Sequence, residues 1–75
     1  MKEIKIDTDY IKLDQFLKLT DTIRTGGEAK LFIAQNDIYV NNERETRRGR
    51  KLRGGDIINI NDKEEYKIVQ NGGQT

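Results

Sequence analysis

The chain has 75 residues, 14 basic and 13 acidic side chains, a net charge of +1, and no cysteine, histidine or proline. Without Cys or His it has no disulfide framework, thiolate nucleophile, zinc–thiolate site or imidazole base, which removes most enzyme classes. The length suits one domain, residues 1–75, close to the size at which a core can barely sustain a fold alone. Leu, Ile, Val and Phe number 5, 10, 2 and 2, more than disordered segments contain, so a folded chain is expected. There is no apolar run of signal-peptide type and no stretch of roughly 18 apolar residues, so a cytoplasmic protein with no membrane partner is expected.

In chain order, KEIKID alternates, with Ile4 and Ile6 on one face and Lys5 and Asp7 on the other, which predicts a short first strand. LDQFLKLT then changes period. Leu13, Phe16 and Leu17 fall at i, i+3 and i+4, predicting a helix near 13–20 with Asp14 at its positive end. TGGEAKLFIAQN opens with Thr25 and Glu28 at capping-box spacing and sets Ala29, Phe32 and Ile33 on one stripe, predicting a second helix near 26–36. Ile38 and Val40 alternate up to Asn41-Asn42, a pair suited to the positive φ of a tight hairpin, with a return strand over roughly Glu43 to Arg47. DIINI and EEYKIVQ, joined by Asn61-Asp62-Lys63, form a second hairpin in which Ile58 and Ile60 face Tyr66 and Ile68; the tail NGGQT is expected to be loose. The class is α+β, two packed helices followed by a small, mainly antiparallel sheet.

The charge is segregated. Arg44, Arg47, Arg48, Arg50, Lys51 and Arg53 stand against the single acid Glu45, a local net of +5, while the other 65 residues hold eight basic and twelve acidic groups. A core would strand such a run, so it is expected in solvent, as a loop or frayed edge punctuated by Gly49 and Gly54-Gly55. Five of the six cations are arginines, four of them within Arg47 to Arg53, and their planar fork suits phosphate oxygens and base faces; crowding of one sign is relieved by an anionic partner. The alternative is a merely solvated surface loop. A second anion site is conceivable at TGGEAK, where Gly26 and Gly27 leave the first N–H groups of a helix accessible and Lys30 lies one turn on. There Glu28 brings opposing charge, and simple capping is the competing reading.

The acids Asp7 and Asp9, or Asp62, Glu64 and Glu65, lack the flanking ligand pattern that fixes a magnesium ion and read as solvated turn residues. Tyr10, Tyr39 and Tyr66 are candidates for base stacking. By strand parity Tyr66 belongs to the core, and Tyr39, opposite to Ile38 and Val40, is the more exposed.

KLDQFL (12–17), GGEAKLFI (26–33), IYVNNE (38–43) and LRGGDIINI (52–60) stand in the order and spacing of the small RNA-binding domain named after ribosomal small-subunit protein four, the S-four domain, which this chain resembles over about 10–61. TGGEAK and TRRGRKLRGGD further resemble the short, stand-alone bacterial YaaA/YbcJ-like subgroup. The resemblance implies an L-shaped pair of helices followed by a small sheet, with RNA bound across the helices and neighbouring loops. Carried over by position, it implies an RNA face of Lys12, Gly26, Gly27, Lys30 and the basic loop, and a core including Leu13, Leu17, Ala29, Ile33 and Val40. Lys12 stands where the family usually has arginine, Asn42 where it has a turn glycine, and Gly26-Gly27 where many relatives have a polar and a basic residue. The second helix therefore offers less positive charge than usual, and the loop is expected to carry more of the binding.

The expectation is a non-catalytic, monomeric module with no cofactor, metal or small-molecule substrate. It would bind structured RNA, with ribosomal RNA of the large subunit or its assembly intermediates favoured by the resemblance. Its rivals are a DNA-binding or protein-docking adaptor on the same fold, and a ubiquitin-like carrier suggested by Gly72-Gly73, which Gln74-Thr75 follow. If Arg47, Arg48, Arg50, Lys51 and Arg53 meet phosphates, replacing Arg47, Arg48 and Arg50 together with alanine should leave melting nearly unchanged while affinity falls and the salt slope becomes shallower by about two to three units.

Overall fold

In the computed structural model, residues 1–71 are described; the tail glycines Gly72-Gly73 and the rest of the end of NGGQT lie outside them. The alternating starts and ends of the chain form strands, and the two i, i+3, i+4 stripes form helices. The elements are β1 (Lys2–Ile6), β2 (Ile11–Lys12), α1 (Leu13–Leu19), a single 3-10 turn (Gly26–Glu28) running into α2 (Ala29–Gln35), β3 (Ile38–Val40), β4 (Glu43–Arg44), β5 (Lys51–Leu52), β6 (Ile57–Ile60) and β7 (Glu64–Gln70). The fold is α+β. A five-stranded sheet has the order β1-β7-β6-β3-β4, and β2 pairs with β5 in a separate two-stranded ladder.

Within the larger sheet β1 runs parallel to β7 and the other pairs are antiparallel. Register places Ile4 opposite Ile68, Ile58 opposite Tyr66 and Val40 opposite Ile58, so Ile4, Val40, Ile58, Tyr66 and Ile68 fall on one face. That face packs on the helices. Leu13, Phe16, Leu17, Ala29, Ile38, Val40, Leu52, Ile58 and Ile68 have no exposed surface, and the Phe16 ring meets Tyr66 edge-on at 5.2 Å and 86°. Tyr66 is therefore a core residue, as its parity predicts. Among the described residues no helix is long and apolar enough to cross a membrane.

The hairpin turns follow the expected chemistry. Asn41 and Asn42 both have positive φ (52° and 70°), which brings Val40 opposite Glu43 across a two-residue turn. The Asn41 side chain also accepts from the Ile57 N–H at 3.0 Å and donates to Asp56 at 3.0 Å, tying this turn to the start of β6. Just before it, Gly55 sits at φ 95°, where a side chain is strained.

Two boundaries and two strand pairings differ from what the sequence predicts. The second helix begins as a 3-10 turn, and the return strand stops at Arg44. The Glu45 N–H still donates across to the Ile38 carbonyl at 2.8 Å, but the N–H groups that follow, of Thr46 and Arg47, turn to the Glu45 carboxylate (3.1 and 2.9 Å) and leave the ladder. The β2–β5 ladder and the parallel docking of β1 on β7 are pairings between segments far apart in the chain, for which no local pattern exists.

Candidate nucleic-acid interface

The basic segment joins β4 to β5, and its conformation is organised by its one acid. Glu45 is buried with only 6% of its side chain exposed, and it accepts from the Arg50 guanidinium at 2.7 Å and from Nε of Arg47 at 3.1 Å. Burial by itself would raise the Glu45 pKa. Hydrogen bonds from the Arg47 side chain, the Arg47 N–H and the Arg50 side chain, with the Arg47 charge, outweigh it and bring the group down to about 2. The same contact, with its charge attraction, raises the Arg47 pKa. The run is thus a folded loop built around a buried carboxylate. The expectation that removing Arg47, Arg48 and Arg50 leaves melting unchanged is corrected here: two of the three neutralise Glu45, so their loss strands a buried charge.

The loop is also fastened to α1. The first N–H groups of a helix have no partner within it. In α1 those of Leu13 and Asp14 donate to the carbonyls of Arg50 (2.8 Å) and Arg48 (3.0 Å). The carbonyls face the helix while the side chains of Arg47, Arg48, Lys51 and Arg53 are exposed. Beside this contact, β2 and β5 set Ile11 opposite Leu52 and Lys12 opposite Lys51. Leu52 is fully buried and both lysines are exposed, so the ladder turns its apolar pair inward and its two cations outward together. Arg47, Gly49, Arg50, Lys51, Arg53 and Asp56 line an open groove of about 640 Å³. Asp56 accepts from the Arg53 N–H at 2.8 Å, which fixes the end of the loop.

Lys12, Arg47, Arg48, Arg50, Lys51 and Arg53 are therefore gathered in one region. Arg44 is elsewhere: it lies on the edge strand β4, pairs with Asp37 at 3.3 Å and donates to the Asn36 carbonyl at 3.4 Å. Gly26, Gly27 and Lys30 belong to the 3-10 turn and the start of α2, and no hydrogen bond or ion pair among the described residues links them to the basic loop. At that turn the Glu28 carboxylate accepts from the N–H groups of Arg24 (2.6 Å) and Thr25 (3.0 Å). These bonds, first that of Arg24, hold its pKa low, so it remains an anion at the end of the turn. Gly26 has open space where a side chain would project, and at Gly27 one would meet only Thr25 Oγ1, at 3.9 Å. The acids weighed as metal ligands do not converge: among the described residues no group of three or more Asp or Glu side chains is placed to hold an ion.

Two participants escaped the sequence reading. Glu45 was visible as the one acid in a basic run, a signal that it has a structural partner there. Tyr10 stood equal with the other tyrosines, yet it is the one beside the loop: Lys51 Nζ lies 4.9 Å and Arg53 Cζ 5.5 Å from its ring centre. Tyr39 is more exposed than Tyr66, as its parity predicts, but it lies between Arg44 and Asn59 in the sheet.

A small α+β domain with a cation-lined groove at the start of its first helix has the geometry and charge of a nucleic-acid-binding fold. The family model of the S4 domain matches residues 4–74, and the chain belongs to this family of RNA-binding domains. It is 47% identical over 66 residues to a protein of Bacillus subtilis (strain 168) described as "Probable ribosome maturation protein RlbA", covering 88% of this chain and 93% of that protein. No solved structure matches the chain significantly.

Proposed function

We propose that the chain is a non-catalytic, cytoplasmic RNA-binding module of ribosome maturation that holds structured ribosomal RNA, of the large subunit or its assembly intermediates, in the groove beside α1. The observation that carries the reading is the convergence of Lys12 with Arg48, Arg50, Lys51 and Arg53 on one surface whose backbone is anchored to α1. A loop whose backbone is already held against α1 loses little freedom when its cations meet phosphates, and guanidinium forks suit phosphate oxygens. The ribosomal assignment draws on the description of the Bacillus relative. In this proposal the chain acts as a monomer. With no histidine or cysteine in the chain, binding without turnover of RNA is the expected chemistry.

The test is to crosslink RNA to the protein in cells and sequence it. Enrichment of large-subunit ribosomal RNA over transfer and messenger RNA is expected; a flat profile across these classes would remove the ribosomal assignment. In vitro, folded RNA should outcompete duplex DNA of equal length, and equal competition would favour a general nucleic-acid adaptor.

Gly26, Gly27 and Lys30 enter the proposal as a secondary contact, because the turn is open but carries the Glu28 anion. Gly27→Glu adds bulk and a second negative charge where a phosphate would approach, so RNA affinity should fall by a few-fold with melting little changed. Unaltered affinity, measured by titration against labelled RNA, would leave this turn a simple cap.

A further inference from the structure

Beside the charged groove lies a surface of different character. Thr8, Tyr10, Ile11, Gln15, Lys18 and Leu19 line a shallow, largely apolar depression of about 450 Å³. Tyr10, Thr8 and Gln15 also border an adjoining hollow that reaches Asp9 and Lys12. Leu19 is 56% exposed although it is a large apolar residue on a helix, so it is not held in the core. The Tyr10 ring forms the boundary between this depression and the basic groove, because Lys51 and Arg53, which line the groove, rest against it.

We infer that Tyr10 and the depression beside it seat one unpaired nucleobase, so that the preferred RNA is a helix interrupted by a single unpaired nucleotide next to the phosphates held by the loop. The inference rests on the RNA-binding reading above and specifies the RNA. Three features fit this occupant. An aromatic ring with an aliphatic floor from Ile11 and Leu19 offers stacking and apolar contact to any base face. Lys18 lines the depression, Lys12 borders the adjoining hollow with Asp9, and Lys51 and Arg53 rest against the Tyr10 ring, so the base arrives with its phosphate on the positive side. Gln15 stands at the rim; among the described residues its Oε1 accepts only a long bond of 3.4 Å, from the Lys12 N–H, and its amide N–H groups have no acceptor, which suits them to a base edge. A base inside a continuous duplex is stacked on both faces and cannot enter, whereas an unpaired one is free to do so.

The test compares two RNA hairpins of equal length and phosphate number. One is fully paired, and the other carries one unpaired 2-aminopurine in the stem. The bulged hairpin should bind at least about fivefold more tightly, and its fluorescence should be quenched on binding. Tyr10→Ala should abolish both the preference and the quenching, and Tyr10→Phe should keep them. Leu19→Ala, at an exposed position that folding does not need, should reduce the preference by itself. Neither Tyr10→Ala nor Leu19→Ala should alter the slope of log affinity against log salt by a full unit, since the count of phosphate contacts is nearly unchanged. Equal binding of the two hairpins, with Tyr10→Ala weakening both alike, would overturn the base seat and leave RNA binding standing. Salt-independent or absent binding of both hairpins would overturn the RNA-binding reading and the seat with it.

Discussion

Replacing Glu45 with alanine should lower the melting temperature by roughly 5–20 °C and weaken RNA binding as well, although the substitution makes the loop more positive. Removing the carboxylate leaves the Thr46 and Arg47 N–H groups without their acceptor and the half-buried Arg50 guanidinium without its partner. Loss of such charged hydrogen-bond partners in a buried setting costs about 1–3 kcal/mol, and in a domain of this size each kcal/mol corresponds to about 4–8 °C. Simple electrostatics predicts the opposite for binding, tighter association with an extra net positive charge. The two forces are separable by measuring melting and affinity on the same variant. A variant that melts like the parent and binds RNA more tightly would show that Glu45 does not organise the loop.

The same residue sets an acid limit. Its carboxyl is held at about 2 in the folded chain against an ordinary 4.5. A carboxylate whose pKa is depressed on folding contributes stability that is fully present above its unfolded value and lost as the pH falls towards the folded one. The stability difference between the parent and Glu45→Ala should therefore be constant above about pH 5 and shrink as the pH falls from 4.5 towards 2. Using the difference between the two proteins cancels the titration of carboxylates they share. A difference that held constant down to pH 2 would mean that the Glu45 charge is not what the loop is built on.

Lys12, Arg48 and Lys51, changed together to alanine, should give the complementary result. None of the three forms an ion pair among the described residues, and all are exposed, so melting should shift little. If each meets one phosphate, the slope of log affinity against log salt becomes shallower by about two to three units, and affinity at moderate salt falls by roughly one to two orders of magnitude. Arg47→Ala with Arg50→Ala should instead lower both stability and affinity, because those two side chains serve Glu45. An unchanged salt slope in the lysine–arginine triple variant, on RNA that the parent binds, would remove the groove from the interface.

The amino-acid sequence by itself determined what depends on near neighbours. The i, i+3, i+4 stripe of Leu13, Phe16 and Leu17 makes a helix because side chains on consecutive turns share a face, and the alternation of Ile58, Ile60, Tyr66 and Ile68 makes strands because side chains there switch face at every residue. Asn41-Asn42 made a hairpin turn because asparagine tolerates positive φ. The cluster of cations was legible as charge density alone. Only the tertiary structure decided what the cluster is. Pairing of β2 with β5 brought Lys12 and Tyr10 to Lys51 and Arg53, docking of the Arg48 and Arg50 carbonyls on α1 turned the loop's side chains outward, and burial made Glu45 a partner for two arginines. These contacts depend on how far elements pack together, and local period carries no information about partners that are distant along the chain.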